Sequence, residues 1–429
     1  MNDSSFVFTV LFSALLVLGL LTKFYLAARQ IRHVAEHRDR VPAAFAATIT
    51  LQSHQKAADY TIAKTRFGML ETAFAAALLV GWTLLGGIDT LNQALQHSAL
   101  AAYGTLVPQL ALLAAFGLIS GLLDMPFTLY STFRLEERFG FNKMTFKLWM
   151  IDLAKSTLLG ALIGLPIVAL ILWLMASAGS LWWLWTWIVW MAFNLLVLVL
   201  FPTVIAPLFN KFKPLDDEAL KARVTALMQR CGFAAKGLFV MDGSKRSAHA
   251  NAYFTGFGAA KRVVFYDTLL KQLSPAEVDA VLAHELGHFK HKHIIQRIAM
   301  MFAMSLVGFA LLGWLSTQLW FYTGLGVRPN LTSANDALAL LLFLMVVPLF
   351  SFFVTPLMAQ FSRKHEFEAD AYAAQQTDGR DLQSALLKLY QDNASTLTPD
   401  PVFVKFYYSH PPASERLGRM IPSPERATP

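Results

Sequence analysis

Cysteine and charge are what this sequence has least of. A single cysteine, Cys231, in 429 residues excludes a disulfide framework and any multi-cysteine zinc or iron–sulfur site. Asp, Glu, Lys and Arg make up 15% of the chain, against about 25% in ordinary soluble domains. That is too little polar material to cover a water-soluble body of this size, and the mean hydropathy of +0.47 agrees. Internal repeats and low-complexity tracts are lacking as well. The charge that remains leans basic, with 36 Lys and Arg against 28 Asp and Glu. In a membrane protein such an excess marks cytoplasmic faces, so a lipid bilayer is the expected surroundings and no nucleic acid is an expected partner.

What is present in abundance is apolar sequence in long runs. A bilayer core of about 30 Å is crossed by roughly 20 apolar residues of helix. Seven stretches meet that length: 6–28, 67–87, 105–129, 148–176, 181–205, 294–320 and 336–361. The leader of the first, residues 1–5, carries Asp3 and no basic residue, and no small-residue cleavage site follows. It reads as an uncleaved anchor. The fourth and fifth stretches are joined by Ser177-Ala178-Gly179-Ser180, and Trp182, Trp183, Trp185 and Trp187 then crowd the start of the fifth, as in an interfacial belt.

Lys and Arg alternate between connections. They are plentiful after the first stretch (Arg29 to Arg66), lacking in 88–104, and present again from Arg134 to Lys147. They are lacking between the fourth and fifth stretches and rich in 206–293. Arg328 stands alone between the sixth and seventh, and the tail from Arg363 is basic. This places the N-terminus outside and the C-terminus in the cytoplasm. Glu71, Asp124, Asp152 and Lys155 fall inside or at the ends of spans. They serve either as contacts between helices, with Asp152 and Lys155 pairing one turn apart, or as the lining of a polar cavity.

Two polar blocks interrupt the membrane sequence, so the chain divides into 1–205 (five spans), 206–293, 294–361 (two spans) and 362–429. In the first block, Leu220, Val224, Leu227 and Met228 share one face of a helix that Asp216-Asp217 opens and Gly232 ends. Residues 238–241, 250–257 and 262–266 read as strands. Ser274-Pro275-Ala276-Glu277 is a capping box. The helix it starts is predicted to run past Gly287 and on into the sixth span, and the tail 422–429 is predicted to be disordered.

On that capped helix lies His284-Glu285-Leu286-Gly287-His288. Two histidines at i and i+4 share a face about 6 Å apart along the axis, within reach of one tetrahedral metal ion. Glu285 stands beside them, able to take a proton from an attacking water. With 11 histidines in the chain, chance would supply this pentapeptide in roughly one chain in fifty. A third ligand is required. His291 lies about 10 Å along the axis from His284, too far to close the site; it and His293 are expected at the cytoplasmic interface. Just beyond the seventh span, Glu366 and Asp370 are four apart on a helix. One could bind the metal while the other steadies a ligand histidine, although a solvated acidic face reads almost as well.

Taken together, these segments resemble the type I CAAX prenyl endopeptidases, integral-membrane zinc proteases of the gluzincin kind. The resemblance rests on Leu135-Glu136-Glu137-Arg138-Phe139-Gly140-Phe141-Asn142-Lys143, Ala206-Pro207-Leu208-Phe209-Asn210-Lys211-Phe212 and Asp242-Gly243-Ser244-Lys245-Arg246. It continues through Asn251-Ala252-Tyr253-Phe254, the histidine helix, Glu366-Phe367-Glu368-Ala369-Asp370 and Ser409-His410-Pro411-Pro412. It implies one zinc per chain on His284, His288 and Glu366, with Glu285 as general base and Asp370 behind a ligand. It implies further that His410 stabilises the oxyanion and that Asn251, Ala252, Tyr253 and Phe254 form an edge strand pairing with substrate.

The implied fold is an all-α membrane protein, seven helices around an intramembrane chamber, with a mainly helical protease domain and a small β-sheet on the cytoplasmic side. The implied substrates are peptides or prenylated peptides. Phe289 stands where the family often has Trp, and the connection 321–336 is short for a eukaryotic member. A bacterial-type enzyme of the inner membrane is therefore expected, the endoplasmic reticulum membrane being the eukaryotic equivalent. Two other functions share part of this pattern. A quality-control zinc protease would use the same residues, whereas a metal-regulated seven-helix transporter would have no need of Glu285.

Overall fold

The structure, a computed structural model, describes residues 3–420 except 236, 250, 256–261 and 332. The first six long helices are α1 (Asp3–Glu36), α2 (Leu51–Trp82), α3 (Gly87–Gln96), α4 (Leu106–Tyr130), α5 (Phe146–Ser177) and α6 (Trp182–Leu200). After the first polar block come α9 (His293–Leu315) and α10 (Asp336–Ser351). Among the described residues, six helical runs are long and apolar enough to cross a membrane, or seven if α2 and α3, bent by 47°, make one span. Phe12, Leu112, Leu172, Leu312 and Leu342 pack where α1, α4, α5, α9 and α10 meet. The outward faces carry exposed leucine and valine, as lipid-facing helices do.

The polar blocks form the second layer. It contains α7 (Glu218–Arg230), α8 (Pro275–Lys290), α11 (Thr355–Gln376), α12 (Gly379–Asp392), α13 (Pro401–Tyr407) and α14 (Ala413–Met420). A four-stranded sheet joins them: β1 (Phe212–Pro214), β2 (Gly237–Met241), β3 (Ala252–Thr255) and β4 (Arg262–Tyr266), in the order β1-β2-β4-β3. β4, with Val263, Val264 and Phe265 buried, is interior, whereas among the described residues β3 pairs only with β4 and lies at the edge. Of the strand expected over 250–257, residues 252–255 are strand and Asn251 is not, while residues 250, 256 and 257 lie outside the described residues, as does the tail 422–429.

Two expectations are corrected here. The capped helix does not run on into the sixth span: α8 ends at Lys290, and Lys292 takes a left-handed backbone (φ 57°) before α9 begins at His293. The continuous helix is instead α11, which runs from Thr355 through the expected end of the seventh span at 361 and past Asp370. Nor does Asp152 pair with Lys155. Asp152 accepts from Arg246 Nε at 2.8 Å and Nη2 at 3.1 Å, while Lys155 Nζ donates to the Leu208 carbonyl. Arg246 also donates to Asn210 Oδ1 at 3.0 Å. Two short motifs, 206–212 and 242–246, therefore meet on α5, where the catalytic layer joins the membrane helices.

Candidate metal centre

Local chemistry starts α8 where the capping box predicts. Ser274 N donates to Glu277 Oε2 at 2.6 Å, and Glu277 N to Ser274 Oγ. Glu277 is buried and is satisfied further by Ser384 Oγ and Lys388 Nζ. One turn before its end, α8 crosses α11 closely enough that only glycine fits at the contact. A Cβ on Gly287 would lie 2.9 Å from Ala369 Cα and 3.1 Å from its carbonyl oxygen. That approach sets the histidines of α8 against the carboxylates of α11.

His284 Nε2 lies 3.4 Å from Glu366 Oε2, and His288 Nε2 lies 3.3 Å from Glu366 Oε1. Donors bound to one tetrahedral zinc through bonds of about 2.0–2.1 Å stand about 3.3–3.4 Å apart, and each nitrogen stands at that distance from one oxygen of the same carboxylate. Glu366 Oε2 is also buried without a hydrogen-bond partner among the described residues, a costly state for a carboxylate unless a cation meets it. The three residues thus form a donor set of the kind that holds a metal.

The other nitrogen of each ring is occupied. His284 Nδ1 donates to Asp370 Oδ1 at 2.8 Å, which leaves its Nε2 lone pair free. Asp370 in turn accepts from Arg416 at 2.8 and 2.5 Å. Arg416 Nη1 lies 4.0 Å from Glu366. Nothing in the sequence around Arg416 marks it, because α14 reaches the site only by folding back over α11 and α12. His293 and His291, both expected at the cytoplasmic interface, differ in burial: His293 is buried and touches His288, whereas His291 is exposed.

Glu285 is partly buried between the two histidines on α8. Burial pushes its carboxyl above the usual carboxylate range, against the pull of both imidazoles. His410 faces the open side of the site, its Nε2 3.3 Å from Glu366 Oε1 and its Nδ1 3.1 Å from Ser409 Oγ. It lines a cavity of about 1070 Å³ together with Asn251, Gln30, Tyr60, Lys64 and Tyr408. Residues of α1, α2, β4 and the segment after α13 thus line one cavity. Of the expected strand, Asn251 accepts from Ala252 N through its own Oδ1. Ala252, Tyr253 and Phe254 form the β3 ladder with β4.

The comparisons with known proteins agree with this geometry. A family model described as CAAX prenyl protease N-terminal, five membrane helices, matches residues 30–211, and that of peptidase family M48 matches 214–420. CAAX prenyl protease 1 of Saccharomyces cerevisiae is 34% identical over 414 residues, covering 92% of this chain and 90% of the relative. The CAAX prenyl protease 1 homolog of Arabidopsis thaliana is 34% identical over 416 residues, covering 94% and 95%. The crystal structure of S. mikatae Ste24p superposes with a TM-score of 0.90 at 31% identity, over 96% of this chain and 99% of that one. With the two family models together spanning residues 30 to 420, and relatives and a solved structure matched along nearly the whole length, the chain belongs to peptidase family M48 and is a membrane zinc metalloendopeptidase of the CAAX prenyl protease type.

Proposed function

We propose that His284, His288 and Glu366 hold one zinc ion, and that this chain uses it to hydrolyse peptide bonds near the C-terminus of prenylated peptides at the cytoplasmic face of its membrane. The observation that carries the reading is the convergence of two imidazole Nε2 atoms on one buried carboxylate at 3.3–3.4 Å. When bound, zinc supplies Lewis acidity that polarises a carbonyl and makes a nearby water easier to deprotonate.

The remaining roles belong to the protein. Glu285 takes a proton from the attacking water as the new C–O bond forms, then returns it to the amine nitrogen as the C–N bond breaks. Its raised affinity for protons suits both halves of that exchange. His410, on the open side, donates to the developing oxyanion. Asp370 and Arg416 fix the His284 ring. The free edge of β3 offers backbone groups to an extended substrate, and the chamber beside His410 gives the peptide and its lipid room. The charge alternation supports an external N-terminus, and the short 321–336 connection supports a bacterial inner membrane as the site of action.

The test is cleavage of a synthetic farnesylated CAAX peptide by the purified enzyme, beside its unprenylated form. Preference for the farnesylated peptide is expected. Equal cleavage of both, or preference for unfolded membrane segments, would reassign the enzyme to general proteolysis.

A further inference from the structure

The two histidines of the metal centre are steadied by different devices, and the second has no assigned role. His288 Nδ1 lies 3.0 Å from His293 Nδ1, and His293 Nε2 lies 2.9 Å from Glu368 Oε2. On an unbroken helix His293 would stand about 140° round the axis from His288, facing away. The left-handed residue Lys292 turns the chain so that His293, the first residue of α9, comes back beneath it. His293 is 1% exposed, so its nitrogens have few partners besides these two.

The proton positions follow from the chemistry of the ends. A histidine that gives Nε2 to a metal carries its proton on Nδ1, so His288 donates to His293 Nδ1. His293 must then carry its own proton on Nε2 and donates it to Glu368, an acceptor only. Every donor in the chain meets an acceptor. His365 lies face to face with His293, ring centroids 3.9 Å apart and planes 9° from parallel. Although His293, His365 and Glu368 offer three donor atoms close together, they do not suit a second metal ion. The in-plane lone pairs of stacked rings run side by side and cannot meet at one ion, and both His293 nitrogens are already engaged.

We infer that His293 is a positioning residue for the metal centre: with Glu368 behind it, it fixes the tautomer and ring orientation of His288, as Asp370 with Arg416 does for His284. This rests on the reading of His288 as a ligand, and the experiment separates the two. Zinc release into a chromogenic chelator is followed from the full-length zinc-loaded enzyme in detergent, with the visible spectrum of the cobalt(II)-substituted enzyme as a second readout. His293→Phe keeps a ring against His365 but has no nitrogen. It should weaken zinc retention by about 10–100-fold and alter the cobalt bands.

His293→Asn returns an acceptor near the Nδ1 position and should recover retention to within about threefold of wild type. His365→Ala removes the stacked ring, leaves the hydrogen-bonded chain whole and should release zinc at the wild-type rate. Wild-type retention in His293→Phe overturns the inference. Equal losses in the Phe and Asn variants, or a loss in His365→Ala as large as in His293→Phe, overturn it too, because packing would then explain the effect. Should His293→Phe not fold, Glu368→Ala takes its place: at least about threefold faster release is expected, and wild-type release overturns the role. His288→Ala is the control. Zinc retained there at one per chain would sink the ligand reading itself, whatever His293 does.

Discussion

In the membrane half Leu118, Leu162 and Val307 stand 60, 65 and 68% exposed, whereas in the catalytic half Glu366, Asp370 and Arg416 are 1, 3 and 5% exposed. The polarity of the two halves is inverted because their solvents differ. Lipid tails are as apolar as leucine, so outward side chains cost nothing there and charge is pushed to the ends of the spans. The pair between Asp89 and Arg328 shows it, since Arg328 is 74% exposed beyond the bundle. The catalytic half needs charge where water is scarce. It keeps that charge by pairing each group: Arg416 with Asp370, Asp370 with His284, and Glu366 among three imidazoles. Stability and chemistry therefore depend on the same few residues in one half and on diffuse packing in the other.

The sharpest way to separate chemistry from stability within the catalytic half is Glu285→Gln. It keeps the size and removes the base, so cleavage should fall by about 10²-fold or more, with metal content at one per chain and an unchanged melting temperature. A fall in metal content would show that Glu285 holds the site together instead. Next in size, Asp370→Ala strips buried Arg416 of its hydrogen-bonded partner and leaves it only Glu366 at 4.0 Å, and about 3–5 kcal/mol of stability should be lost in denaturant melts. Asp370→Leu combined with Arg416→Leu should cost less than Asp370→Ala alone. Equal or greater loss would mean that this ion pair is worth more than its desolvation.

Gly287→Ala pushes a methyl group into the Ala369 backbone, and about 1–3 kcal/mol of destabilisation is expected, together with weaker metal retention as α8 and α11 part. Unchanged retention would show that the crossing can widen without moving the ligands. A smaller effect concerns pH. Because burial raises the Glu285 carboxyl, it is protonated and inactive as a base until pH passes a value above the ordinary carboxylate range. The acid limb of kcat/KM should therefore lie above that range and vanish from the residual activity of Glu285→Gln. The smallest effect is expected on the far side of the bundle, where Asp89→Asn should leave cleavage and metal content as they are. A loss there would tie the outer loops to the site and break the contrast between the halves.

Much of this molecule is decided by local pattern. Spans declare themselves because roughly 20 apolar residues have no other stable disposition. The start of α8 is set by Ser274 and Glu277, two residues whose side chains satisfy each other's backbone N–H groups. His284, Glu285 and His288 share a face because helical spacing allows nothing else. Glu366 and Asp370 could be singled out as a pair, but not sorted into ligand and support by spacing alone. Which of them faces both His284 and His288, and which faces His284 alone, follows from the helix packed opposite, set where Gly287 meets Ala369. Arg416 comes from a helix 46 residues beyond Asp370 in sequence, and its place depends on how α14 folds over α11. The contact of His293 with His288 was not legible for a related reason: an unbroken helix turns the two apart, and one left-handed residue, Lys292, reverses that. Sequence determined which groups are present and which elements carry them. Tertiary packing decided which nitrogens and oxygens face one another, because hydrogen bonds and ion pairs depend on ångström distances that spacing along the chain does not fix.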